Sequence, residues 1–282
     1  MPEAALSAGG VDYDDTGGTG PVVVLLHGLL MSGSLWRHVV ADLRADHRCV
    51  VPTLPLGAHR RPMRAGADLS GAGQARLVAE LLDRLDLRDV TLVGCDWGGA
   101  QLVVAEGLAE RVGRLVLVSQ EAFDNFPPGP PGRAIRLAAR IPGGLNAALQ
   151  PMRLRALRRT PISFGWLSKR PVPDDVMDAW LRPALTDRAV RRDLRAYLQA
   201  CRRGEYVAAA ERLGAFARPA LVVWAADDRL MPRAHGRRLA ERLPHARLVE
   251  IADSYTLVPE DQPAALAAEL RRFVRETVSS PS

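Results

Sequence analysis

Residues 90–100 read VTLVGCDWGGA. A short apolar run meets a carboxylate on a tight glycine turn, and a helix-like run follows. A Gly-x-x-x-Gly frame between strand and helix holds its middle residue on a strained, exposed turn, the nucleophile elbow. Here that residue is Asp96, framed by Gly94 and Gly98. Small residues at the two flanks let the strand and helix backbones approach closely. A serine at the centre suits ester hydrolysis. An aspartate suits attack on the sp3 carbon of a halide or epoxide.

The surrounding segments alternate. Val22–Leu26 is a continuous apolar run of the length of a buried strand, and Cys49–Val51, Val90–Val93 and Leu115–Val118 read the same way. Between them, Leu35, Val39, Val40 and Leu43 recur at helical spacing behind a Ser34 cap, and Leu77, Val78, Leu81, Leu82 and Leu85 form one helix face. A third helix is expected from the elbow to about Glu110. This order predicts an α/β fold, a mostly parallel sheet flanked by helices. The texture changes at FPPGPPGR (126–133), a linker that should not be helix interior. Arginine- and leucine-rich, proline-broken, helix-prone sequence follows. Strand signal returns at Ala220–Trp224 and Leu248–Ile251, with a helix through Leu239 and Leu243 between them and a last helix over about 263–277. The expected division is a core of residues 1–121 and 211–282 with an inserted helical cap of 122–210.

Composition narrows the setting. A mean hydropathy of −0.05 and the lack of any apolar run near 18 residues argue against a membrane span. MPEAALSAGGVDYDD lacks the basic and apolar regions of a secretory signal. Cys49, Cys95 and Cys201 are too few for a disulfide framework, so a reduced, cytoplasmic protein is expected. The net charge of +6 comes with one lysine only, Lys169. The many arginines of 133–203 read as solvated helix faces, with no nucleic-acid fingerprint beside them. Histidines and cysteines show no zinc-like spacing, and GGTG at 17–20 lacks the lysine and helix of a phosphate loop. No metal and no cofactor are expected. The expected partner is a small-molecule substrate, neither nucleic acid nor a membrane. The oligomeric state, a homodimer included, stays open.

With these motifs in order, the chain resembles the α/β-hydrolase superfamily over nearly its whole length, and most of all its haloalkane dehalogenase and epoxide hydrolase branch. The resemblance gives LLHGLL (His27, Gly28, Leu29) the place of the oxyanion loop, with the backbone N–H groups of Leu29 and Trp97 aimed at developing negative charge. It makes Trp97 a donor to a departing halide, with Trp166 or Trp180 as a second indole, because Leu29 stands where some dehalogenases carry asparagine. It places the acid of the relay in WAADDRLMP at Asp228, next to Asp227. The branch commonly has a histidine in the loop after the last strand. Here the loop reads DSYTLVPEDQP, which puts Thr256 at that place. A threonine hydroxyl is no general base near neutral pH. His59, in the loop after the second parallel strand, either reaches toward Asp96 or is a loop histidine bonded to backbone or water. Tyr255 could present its phenol to the pocket, and Tyr197 and Tyr206 are expected in packing.

Three functions remain open on these residues. One is a hydrolase with Asp96 as nucleophile on a carbon–halogen or epoxide bond of a small apolar compound. The second is a non-hydrolytic lyase, isomerase or cyclase of secondary metabolism on the same scaffold. The third is a binding protein that has lost its chemistry.

Overall fold

The computed structural model describes residues 1–278. Eight strands form one sheet: β1 (Glu3–Leu6), β2 (Gly9–Asp15), β3 (Val22–Leu26), β4 (Arg48–Pro52), β5 (Val90–Asp96), β6 (Val112–Gln120), β7 (Ala220–Ala225) and β8 (Ala246–Ile251). Their order is β1-β2-β4-β3-β5-β6-β7-β8. The pairs β1/β2 and β2/β4 are antiparallel, and the remaining pairs are parallel. Every residue of β5 is buried, as a strand covered on both faces requires.

Helices α1 (Arg37–Leu43), α2 (Gly71–Arg84) and α3 (Ala100–Ala105) connect the first parallel strands. Six helices fill the stretch between β6 and β7: α4 (Gly129–Arg140), α5 (Gly144–Leu149), α6 (Arg155–Arg158), α7 (Asp174–Thr186), α8 (Arg188–Ala200) and α9 (Arg203–Arg212). This helical insert contains no strand among the described residues. Helices α10 (Arg233–Arg242), α11 (Val258–Asp261) and α12 (Pro263–Val278) complete the chain. No helix of the described residues is long and apolar enough to cross a membrane.

The fold class and the six parallel strands agree with the sequence reading. Four local details differ. The N-terminal hairpin β1–β2 carried no strong apolar alternation and was not anticipated. Before α1 the chain makes a 3-10 turn, Gly33–Trp36, and its cap is Ser32, whose hydroxyl accepts from the Ser34 N–H at 3.3 Å. Helix α3 ends at Ala105 rather than near Glu110, because Gly107 turns left-handed at φ +72°. The glycine–proline linker ends early: Gly129, Pro130 and Pro131 open α4, where the first-turn N–H groups have no helical partner to lose.

Three buried contacts fasten the insert over the carboxyl edge of the sheet. The Trp180 indole of α7 donates to the Ser34 hydroxyl at 2.8 Å. The Asp193 carboxylate of α8 meets His59 Nε2 at 3.3 Å and accepts from the Met63 N–H at 2.7 Å. Asp261 of α11 accepts from the Ser168 hydroxyl at 2.9 Å and from the N–H groups of Lys169 and Arg170 at 2.9 and 2.8 Å. Trp180→Phe removes one such bond and leaves the ring volume mostly filled. It is expected to lower the unfolding free energy by about 1–2 kcal/mol, read as a lower urea midpoint with unchanged slope.

Candidate active site

Asp96 ends β5 at φ 54°, a left-handed conformation that non-glycine residues rarely adopt. The turn survives because its neighbours are small. A Cβ on Gly98 would stand 2.9 Å from the Leu26 carbonyl oxygen. A Cβ on Gly28 would stand 2.1 Å from Asp96 Oδ2. The carboxylate therefore lies directly on the backbone of the loop after β3.

That loop supplies the donor. The Leu29 N–H donates to Asp96 Oδ2 at 3.1 Å, and the Trp97 N–H also faces the carboxylate. Both donors expected from the resemblance thus meet the aspartate in the resting site. They do not hold it fully ionised. Burial, with Asp96 only 3% exposed, pushes its pKa up to about 7 against the two N–H groups, and the nearby Asp228 adds to the rise.

Asp96 and Trp97 open onto a cavity of about 380 Å³ between the sheet edge and the insert. Leu29, Ile135, Leu149, Met152 and Phe164 make its wall apolar. Among the described residues, Asp96 is the only ionisable group on that wall, and no histidine lines it. Trp97 is wedged between Phe126 and Tyr197, with ring centroids 4.9 and 5.9 Å away. Its indole N–H makes no hydrogen bond among the described residues.

Asp228 lies just past β7. Its Oδ1 accepts from the N–H groups of Leu230 and Met231 at 2.9 Å each, and from the Thr256 hydroxyl at 2.8 Å. Thr256 is fully buried against it. Asp228 Oδ2 is buried with no partner among the described residues. Burial raises this carboxyl to about 6 in spite of its three donors.

Several expected residues sit elsewhere. His59 does not reach Asp96. Its ring is buried between Asp193 and the Gly57 N–H, which donates to Nδ1 at 3.3 Å, because the loop after β4 folds up against α8. His27 does not touch the cavity either. Its Nδ1–H donates to the Gly28 carbonyl at 2.8 Å and its Nε2 accepts from the Leu54 N–H at 2.8 Å. Burial lowers its pKa to about 4, so it is a neutral strut for the loop after β3. Tyr255 turns outward, its ring covered by Arg229 at 4.6 Å and Lys169 at 5.8 Å. Trp180 is committed to Ser34 and Trp166 is off the cavity wall, so neither supplies a second indole donor there. Tyr197 and Tyr206 are buried packing behind Trp97, as expected.

One residue escaped the sequence reading. Glu121 follows β6, is fully buried, and has two carboxyl oxygens without partners among the described residues. Its N–H donates to the Asp96 carbonyl at 3.4 Å. Burial, with Asp96 beside it, holds its carboxyl well above the usual range. The signal was an acid at the end of the apolar run LVLVSQE, on the strand next to the elbow strand.

A family profile described as the alpha/beta hydrolase fold matches residues 21–263. The chain belongs to the α/β-hydrolase fold family. Its relatives include haloalkane dehalogenase 2 of Mycobacterium tuberculosis, 29% identical over 94% of this chain and 91% of that one. A cis-3-alkyl-4-alkyloxetan-2-one decarboxylase of Shewanella oneidensis is 26% identical over 92% of this chain and 84% of that one. Among solved structures, an ancestral haloalkane dehalogenase superposes with a TM-score of 0.78 at 20% identity, covering 99% of this chain and 100% of that one, a likeness of fold.

The raised Asp96 pKa has a thermodynamic consequence in this α/β-hydrolase core. An unfolded aspartate releases its proton near pH 3.9, whereas the folded one keeps it up to about 7. The folded state binds the extra proton, so this group's contribution to stability falls as the pH rises from about 4 to 7. Asp96→Asn is therefore expected to stabilise the protein at pH 8, by about 1–3 kcal/mol. The gain should fade as the pH is lowered through that window, measured by urea unfolding at several pH values.

Proposed function

We propose that Asp96 is the nucleophile of an enzyme that acts on a small apolar electrophile and completes turnover without consuming water. One observation carries this reading: the Thr256 hydroxyl holds the acid Asp228 at 2.8 Å where the branch commonly has a histidine, and no histidine among the described residues lines the cavity. An alkyl halide would be attacked at carbon by the Asp96 carboxylate, with the carbon–halogen bond breaking and halide leaving beside Trp97. The resulting ester would then persist, since no group on the wall can deprotonate water.

A strained cyclic ester escapes this block. Attack by Asp96 on the ring carbon bearing oxygen opens an oxetan-2-one to a bound ester with a free carboxylate. That carboxylate leaves as CO2, its carbon–carbon electron pair forms an alkene, and the Asp96 carboxylate is expelled intact. No water enters the balance and no proton moves. The named substrate of the Shewanella relative belongs to this class, and the cavity's apolar wall suits its alkyl chains. The reactive form of Asp96 is the carboxylate, so the rate is expected to rise with pH through about 7 and then level off.

Intact-mass analysis with 1-bromobutane and product analysis with a cis-3,4-dialkyloxetan-2-one test the reading. The expected results are one butyl adduct on Asp96 with one equivalent of bromide, and repeated release of alkene and CO2 from the lactone. Asp96→Asn should abolish both. Steady release of butanol, or lactone turnover that survives Asp96→Asn, would overturn it. Thr256→His would offer an imidazole to the unpartnered Asp228 Oδ2. It is expected to speed loss of the butyl adduct by about a hundredfold, a typical contribution of a placed general base.

A further inference from the structure

The mouth of the cavity is unlike the rest of the surface. Ala134, Ala148, Pro151, Leu157 and Ile162 all line the cavity and are all exposed, so its rim is apolar. The apolar surface continues outward. Leu137 of α4 and Ile141, just past its end, are 59% and 52% exposed. Leu154, at the start of α6, is 63% exposed. Large exposed side chains clustered in this way mark a contact surface.

The charge around the rim has one sign. Between Asp124 and Asp174 the sequence contains eight arginines, one lysine and no acid. Arg133, Arg140 and Arg153 are exposed. Arg133 and Arg153 bond to the uncharged Gly129 carbonyl and Gln150 side chain, and Arg140 has no ion pair among the described residues. The other cations of this stretch are mostly paired: Arg155, Arg158 and Arg159 with Asp174 and Asp178 of α7, and Lys169 and Arg170 with Asp227 and Asp253.

We propose that this face of the insert docks on an anionic phospholipid surface and takes apolar substrate from it into the cavity. The chemistry favours that occupant. Exposed apolar side chains beside exposed arginines suit an interfacial membrane contact, with chains entering the headgroup boundary and guanidinium groups meeting phosphate. A second copy of the chain fits poorly, since a two-fold contact would set the unpaired Arg133, Arg140 and Arg153 near their own copies. A membrane is also where an apolar ligand of this cavity would concentrate. Docking stands without the chemistry assigned to Asp96, and only the delivery of substrate rests on that assignment.

Vesicle sedimentation of the full chain, with no substrate present, tests the docking. The expected result is partition onto phosphatidylcholine–phosphatidylglycerol vesicles, weak partition onto pure phosphatidylcholine, and loss of binding at high salt. The pair Leu137→Asp with Ile141→Asp, and separately Arg133→Glu with Arg140→Glu, should each weaken binding about tenfold or more. Both pairs should leave adduct formation with 1-bromobutane unchanged, because none of these side chains lines the cavity. The proposal is overturned if the wild type ignores anionic vesicles, if neither pair weakens binding, or if sedimentation equilibrium finds a dimer that the leucine–isoleucine pair dissociates.

Discussion

The Asp96 carboxylate rests on the Gly28 backbone, and its Oδ2 takes the Leu29 N–H at 3.1 Å. Two loops from the neighbouring parallel strands β3 and β5 must therefore meet at one point, and each constrains the other. The elbow needs a left-handed aspartate and small residues on both sides of it. The loop after β3 needs a glycine where any side chain would collide, and a neutral His27 holds its shape from behind. The contact seats the carboxylate at the carboxyl edge of a fully buried strand, where burial raises its pKa against the Leu29 N–H.

Much of this was legible in the residues. Largely apolar runs marked β3 to β7, because strands covered on both faces hold few polar residues. The edge strand β8 is mostly half-buried, and only its LVEI end was read. The elbow glycines were readable because backbone crowding restricts what those positions can hold. Asp228 and Thr256 were placed by the resemblance, and the structure joins them through a hydrogen bond at 2.8 Å. Pairings across the insert were not. His59 sits against Asp193, a residue 134 positions further on in the chain. No local signal carries that contact. Tyr255 faces outward because two cations cover its ring, which depends on where Lys169 and Arg229 lie in space. Glu121 was missed because its meaning depends on the neighbouring strand, while its own run looks like an ordinary strand end.

The polar interior of the site is made of acids with no cation among them. Asp96 and Glu121 are buried, Asp228 is half-buried with its Oδ2 covered, and burial raises all three. Such a group tolerates one charge at a time far better than two. Where the branch commonly has a histidine, the Asp228 carboxyl meets the Thr256 hydroxyl at 2.8 Å. Under the function proposed above, the scaffold handles an electrophile without activating water.

The insert is tied down at Ser34 in the turn before α1, at His59 and Met63 after β4, and at Asp261 in α11, three points spread across the core. The mouth left between them is framed by Ala134, Ala148, Pro151, Leu157 and Ile162, so a guest meets apolar side chains before it meets the carboxylate.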